Sequence, residues 1–160
     1  MARDKFLLGG SYSRSERQLG NITAESEQNG LWVSRLGDKG IALSAKLIIN
    51  YSAVLAAGET LSLAGNFQDA LDGDGGSAAD YGDAVSATVI ATGDSGGSTE
   101  VGTAEIDVDL SGAREFIRSQ VTVSTSSTGT LAYSAVLVFY GDHRQPNTKA
   151  IAAVGTADAI

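Results

Sequence analysis

The strongest constraint on the fold is a two-residue alternation, which is clearest in the segment "TAEIDVDL". Ile106 and Val108 alternate there with the acidic residues Glu105, Asp107 and Asp109. Successive side chains of a β-strand point to opposite faces, so this pattern predicts a strand with one face buried and one in water. The same period recurs in stretches beginning near residues 45, 61, 85, 116 and 131.

Turn-forming residues separate these stretches, and no segment of the chain shows convincing helical periodicity. The 160 residues include 20 glycines and a single proline, and 42% are hydrophobic, which fits one domain with its own core and many turns. Seven or eight strands so spaced predict an all-β fold, an antiparallel β-sandwich of jelly-roll-like type. The predicted boundaries are an extended N-terminal arm over 1–29, a β-sandwich over 30–146 and a C-terminal tail over 147–160.

Charge and cysteine content exclude several classes of function. The formal net charge of −8 argues against nucleic acid as a partner and against an anionic membrane surface, since both need clustered basic residues. The absence of cysteine excludes disulfides and thiolate zinc sites. The apolar run "FLL" near the start is too short for a signal-peptide core, so we expect synthesis in a reducing cytoplasm.

The acidic stretch "DALDGDGGSAADYGD", residues 69–83, raises the question of a metal site. A calcium loop of the EF-hand type starting at Asp72 would need an oxygen ligand at its fifth position and glycine at its sixth. Gly76 and Ser77 stand there instead. The pattern favours a solvated strand connection, and a different calcium site held by Asp69, Asp72 and Asp74 is the alternative.

No arrangement of residues in the sequence predicts catalysis. His143 is the single histidine, and no G-x-S-x-G nucleophile motif is present. The acids of "TAEIDVDL" share one strand face, which is typical of a solvent side. We therefore predict that the chain is not an enzyme and uses no cofactor.

Four successive segments carry a resemblance to a known family: "SAKLIINYSAVLAAGETLSLAGNFQDALDGDG", "ADYGDAVSATVIATG", "EIDVDLSGAREFIRSQVTVSTS" and "AYSAVLVFYGDHRQP". Over residues 30–146 their order and small-residue style resemble the head decoration, or cement, proteins of tailed bacteriophages. The resemblance implies a protein without enzymatic activity that binds the major capsid protein on the outside of the virion as a homotrimer. It also implies that the termini contact neighbouring subunits, with Phe6, Leu7, Leu8 and Trp32 as interface residues. Trp32 is equally compatible with a place in the core.

Two other interpretations stay open at this stage. A tail-tube, neck or collar protein of the same kind of particle would also combine β-sandwiches with arms. A calcium-dependent carbohydrate-binding module built on a jelly roll would use the acidic stretch as its ligand site.

Overall fold

The computed structural model describes residues 13–37 and 40–141, which form eleven strands. The strands are β1 (Ser13–Ile22), β2 (Gln28–Asn29), β3 (Val33–Ser34), β4 (Leu36–Gly37), β5 (Gly40–Ile41), β6 (Ser44–Leu55), β7 (Thr60–Ala70), β8 (Ala79–Thr92), β9 (Ser98–Asp109), β10 (Phe116–Thr125) and β11 (Thr130–Tyr140).

The long strands make two antiparallel sheets that pack face to face. One sheet has the order β1-β11-β6-β9, and the other has β2-β10-β7-β8, with β3 also pairing β10. When β2 and β3 are taken as one interrupted strand, the eight strands run 1-8-3-6 in one sheet and 2-7-4-5 in the other. This is the strand order of a jelly roll, so the predicted all-β antiparallel sandwich is confirmed. The short strands β4 and β5 form a separate hairpin.

The core lies between the sheets and follows the alternation of the sequence. Alternate residues of the central strands β6 and β11, including Leu47, Ile49, Leu137 and Phe139, are almost completely buried. Their sequence neighbours point to the outer face and are partly exposed. Opposite them β7 and β10 contribute the same pattern, because each of these strands is also flanked by a neighbour on both sides.

The structure differs from the predicted N-terminal arm. Strand β1 covers Ser13–Ile22 and pairs with β11, so within the described residues the sandwich begins at Ser13 rather than at residue 30. Its segment "SRSERQLGNI" carries no apolar alternation, because polar side chains occupy its inward positions. Gln18 is buried, and its Oε1 accepts hydrogen bonds from the backbone N–H and the hydroxyl of Ser119 in the facing sheet. These cross-sheet bonds close the sandwich at its β1 edge.

The alternation predicted from Val85 through Val89 is wrong for β8, because this strand contains irregularities in its pairing with β7. The register with β7 shifts three times, and the two shifts of one residue, between Leu61 and Ser62 and between Leu63 and Gly65, change which residues face inward. Val85 packs against the core, whereas Val89 lies opposite Ser62 and is 54% exposed.

Candidate functional site

The acidic stretch begins at a buried ion pair. Asp69 is 5% exposed and lies at the end of β7. Its Oδ1 accepts hydrogen bonds from Nε of Arg114 at 2.9 Å and Nη2 at 2.5 Å, and its Oδ2 accepts one from the Arg114 backbone N–H. Burial alone would raise the pKa of this carboxyl, but the bonds and charge of Arg114 outweigh it and hold the pKa below its usual range. Asp69 is therefore engaged as a structural anion.

The next acidic residues organise the loop itself. One carboxylate oxygen of Asp72 accepts the backbone N–H groups of Asp74 and Gly76, which is the bonding of an Asx-type turn. Arg114 also donates to the Ser77 carbonyl, so the far side of the loop is tied to the same arginine. The structure does not bring Asp69, Asp72 and Asp74 together as a ligand set, and no group of three or more potential metal ligands occurs in residues 13–37 and 40–141.

Trp32 lies beneath this loop. A Cβ added at Gly75 would come within 2.6 Å of the indole Nε1, so the backbone of the loop packs directly on the ring. The guanidinium of Arg118 stacks on the ring at 4.5 Å from its centroid, and Gly73 packs on the neighbouring Phe116. Trp32 is half-buried outside the main core cluster. A role for Trp32 in an interface stays a prediction.

A second buried anion joins two turns at the other end of the sandwich. Glu59 accepts backbone N–H groups from Ala56 within its own turn and from Ser127 and Gly129 in the turn between β10 and β11. These bonds, the Ala56 and Gly129 bonds foremost, lower the pKa of the Glu59 carboxyl. The residue lines a shallow depression of about 580 Å³ whose other walls are uncharged glycine, serine, threonine and aliphatic residues. With one carboxylate and no other ionisable side chain in its lining, the depression offers no pair of groups for acid–base chemistry.

Strands β8 and β9 together form the open edge of the sandwich. Each is paired on one side only, β8 with β7 and β9 with β6. No residue of the 14-residue β8 is buried, and Ile106 alone is buried in the 12-residue β9. This contrasts with the opposite edge, where β1 and the short strands β2 and β3 are tied across the sheets. Among the described residues β8 and β9 are the longest strands that are paired on one side only, and their free edges are a natural place for another polypeptide to bind.

The outer face of β9 is acidic. Its charged side chains there are Glu105 and Asp107, with Asp109 at the end of the strand. Lys46 of the neighbouring β6 lies between the first two, with Nζ at 2.6 Å from Glu105 and 3.3 Å from Asp107, and the two hydrogen bonds raise its pKa. One lysine against three carboxylates leaves this face negative. Val101, further along the same face, is 75% exposed.

Several predicted residues lie outside the described part of the chain, namely Phe6, Leu7, Leu8 and His143. The sequence did not predict that Glu59 is a buried anion. It also did not predict the partners of the two buried carboxylates, which are Arg114 for Asp69 and backbone N–H groups for Glu59. A glutamate after "AAG" reads as an ordinary turn residue, and no pattern in the sequence signals that another turn will surround it. Among the described residues there is no helix that is long and apolar enough to cross a membrane.

No family model matches the chain, and no curated protein matches it either. Among solved structures, dimeric latent PorU from Porphyromonas gingivalis matches with a TM-score of 0.45 and 9% identity, over 86% of this chain and 13% of that one. A chain in the structure of infectious bursal disease virus, Gx strain, matches with a TM-score of 0.38 and 12% identity, over 85% of this chain and 35% of that one. The VP2 subviral particle of infectious bursal disease virus matches with a TM-score of 0.26 and 15% identity, over 86% of this chain and 36% of that one. The chain thus spans about a third or less of these proteins, and likenesses this loose carry no argument about its function.

Proposed function

We propose that this protein is a structural component of a virion, a decoration protein that binds the major capsid protein on the outside of a tailed-phage head. It acts without catalysis and assembles as a homotrimer. The observation that carries the proposal is the open edge, where two long strands, β8 and β9, are held on one side only and are scarcely buried. Natural sheet proteins blunt or cover edges of this length, so a protein that keeps one uses it to bind another chain.

The rest of the described surface fits a part that holds neighbours together. The residues that first suggested a metal site are used within the fold, Asp69 by Arg114 and Asp72 by its own loop. The net charge of −8 keeps a protein soluble when it is made in many copies. A small subunit that binds weakly at each of several contacts reaches high total affinity once it is trimeric, because the later contacts form within one complex.

The test has two stages, each with its own contradicting outcome. Light scattering on the purified chain should give the mass of a trimer, unchanged by calcium; rings or tubes would instead indicate a tail-tube, neck or collar protein. Co-sedimentation with heads assembled from the major capsid protein of the same virus should then deplete the chain from the supernatant. A monomer that calcium stabilises, and that leaves the heads bare, would overturn the proposal in favour of a calcium-dependent binding module.

A further inference from the structure

Strand β9 is the more regular half of the open edge. All twelve of its residues pair with β6 in one continuous register, from Ser98 opposite Leu55 to Asp109 opposite Ser44. Strand β8, in contrast, is interrupted by three register shifts, which twist an edge and weaken it as a template. The free edge of β9 therefore presents an uninterrupted row of backbone N–H and C=O groups with which a further strand can pair.

The two faces of β9 require different side chains from a strand that pairs with it. Glu105 and Asp107 lie on the outer face, with exposed Val101 beyond them, and the face is negative even after Lys46 is counted. On the inner face Gly102 and Ala104 are small and half-buried, and the ring of Tyr51 lies against Gly102, so this ring and Ala104 form a partly exposed apolar surface beside the core. A complementary strand needs basic residues at one end of its outer face and large apolar residues on its inner face.

The chain itself contains such a segment. In "MARDKFLLGG", an extended conformation puts Arg3, Lys5 and Leu7 on one face and Asp4, Phe6 and Leu8 on the other. Antiparallel pairing with Lys5 opposite Glu105 sets Arg3 opposite Asp107 and Leu7 opposite Thr103, diagonally next to Val101. On the inner face the same pairing puts Phe6 and Leu8 opposite Ala104 and Gly102, and Asp4 opposite Ile106 at the start of the added segment. Both basic side chains of the segment thus meet carboxylates, and two of its three inner side chains are large and apolar.

The direction of the chain decides which copy supplies the segment. Ser13 pairs with Tyr140, Tyr140 with Ser44, and Ser44 with Asp109, so residue 13 stands three strand spacings, about 14 Å, from the β9 edge. A segment of the same copy that crossed this distance would reach β9 at Asp109 and run parallel to it. Its apolar residues would then meet the acidic end of β9, whereas antiparallel pairing is reached from another copy.

We infer that the free edge of β9 binds residues 3–8 of a second copy of this chain as an added antiparallel strand. The contact is heterologous, arm to edge, so repetition around a symmetry axis closes a ring in which every edge is covered. The inference rests on the proposed assembly of copies, and it names the surface and the segment that make it.

A disulfide trap tests the pairing, because the chain has no cysteine of its own. Antiparallel strand partners lie within disulfide range, so Lys5→Cys with Glu105→Cys should give covalent dimers and trimers after mild oxidation. The matched control is Lys5→Cys with Thr99→Cys, six residues along the same face of β9 and about 20 Å away, which should form no covalent dimers or trimers. A crosslink confined to one copy, or no more crosslinking than in the control, would overturn the inference.

A charge reversal provides a second readout without cysteines. Lys5→Glu should raise the protein concentration at which copies assemble by at least about tenfold, because it sets like charges opposite each other. Arg17→Glu, an exposed position on β1 at the other edge, changes the net charge equally and should leave assembly unaltered. Equal effects of the two variants would contradict the inference. If the crosslink fails while the wild-type chain still sediments with heads, the pairing is wrong and the proposed function stands. If the crosslinked ring forms but does not sediment with heads, the pairing stands and the proposed function is wrong.

Discussion

At the scale of single residues, the fold depends on buried charges that satisfy backbone groups. Arg35 is 7% exposed, and its guanidinium donates to the carbonyls of Ala42, Leu110, Ala113 and Arg114, which ties the β4–β5 hairpin to the loop before β10. Nothing in the sequence around Arg35 or Glu59 distinguishes these residues from surface charges. Their partners are backbone groups brought close by the fold, so local patterns could not predict them.

Glu59→Gln should lower the thermal midpoint by several degrees at neutral pH. The amide keeps the shape of the side chain but presents one acceptor oxygen to the backbone N–H groups of two turns, and its NH₂ group faces donors. Circular dichroism on heating measures the change. Glu27→Gln, an exposed residue bound to a single side-chain amide, is the matched control and should leave the midpoint in place.

The contact between Gly75 and Trp32 gives a second residue-scale prediction. Gly75 has a φ of 84°, and a Cβ there would collide with the indole, so Gly75→Ala should cost about 1–2 kcal/mol from the backbone alone and displace the loop. Because Trp32 is the chain's one tryptophan, its fluorescence reports this directly, and we expect a red shift. Gly96→Ala, at a glycine with open space around it, should change neither signal. An unshifted spectrum for Gly75→Ala would show that the loop does not cover Trp32.

At the scale of elements, the sequence predicts a strand correctly where one of its faces is apolar and buried. The prediction is wrong where the inward side chains are polar or where the register with the neighbouring strand shifts. The strands predicted from the alternation near residues 45 and 131 are confirmed as β6 and β11, and their alternate residues from Ala45 to Leu55 and from Leu131 to Phe139 are buried, except for the half-buried Tyr51. Strand β1 was predicted as part of an arm because its inward side chains are polar and bond across the sheets. The faces of β8 were mispredicted because its register shifts are set by pairing with β7, which no local pattern encodes.

Strand β1 yields a prediction at this scale. A chain beginning at Ser13 should keep the circular-dichroism spectrum and urea midpoint of a folded sandwich. One beginning at Thr23 should fail to fold, because it loses the pairing with β11, the buried Leu19, and Gln18, which accepts a hydrogen bond from the Ser119 N–H and donates one to the Leu31 carbonyl. Equal stability of the two truncated chains would show that β1 is dispensable, as an arm would be.

At the scale of the whole molecule, the candidate site is a surface, and this limits what the sequence could predict of it. The acidic stretch attracts attention by composition, yet its aspartates serve the fold. The open edge is invisible in the sequence, because only the jelly-roll order of the strands makes β8 and β9 neighbours at one end of both sheets. Strand alternation predicts the layers, and the long-range pairing that decides which strand is exposed comes from the tertiary structure.

The ionisable groups of the described chain together predict how stability depends on pH. Glu59, Asp69 and Asp109 all have a lowered pKa in the folded state, so each stabilises the fold above its unfolded pKa, and this stability is lost as the pH falls through the folded value. Tyr133 behaves in the opposite sense: burial raises its pKa from 10.0 to about 12, so its contribution is complete below pH 10 and disappears as the pH rises through 12. Urea midpoints should therefore be flat from about pH 5 to 9, fall steeply below about pH 4.5 and fall again above about pH 10.

Two variants separate the contributions to this profile. Asp69→Asn should lower the plateau by about 2 kcal/mol, because Arg114 loses its charged partner, and should make the acid limb shallower. Tyr133→Phe should make the alkaline limb shallower, leaving the part that Lys46 contributes through its own raised pKa, and should leave the acid limb unchanged, since the phenol makes one long hydrogen bond of 3.4 Å to the Ala24 carbonyl. An acid limb that keeps its full slope in Asp69→Asn would mean that the ion pair with Arg114 does not hold the carboxyl ionised in the fold.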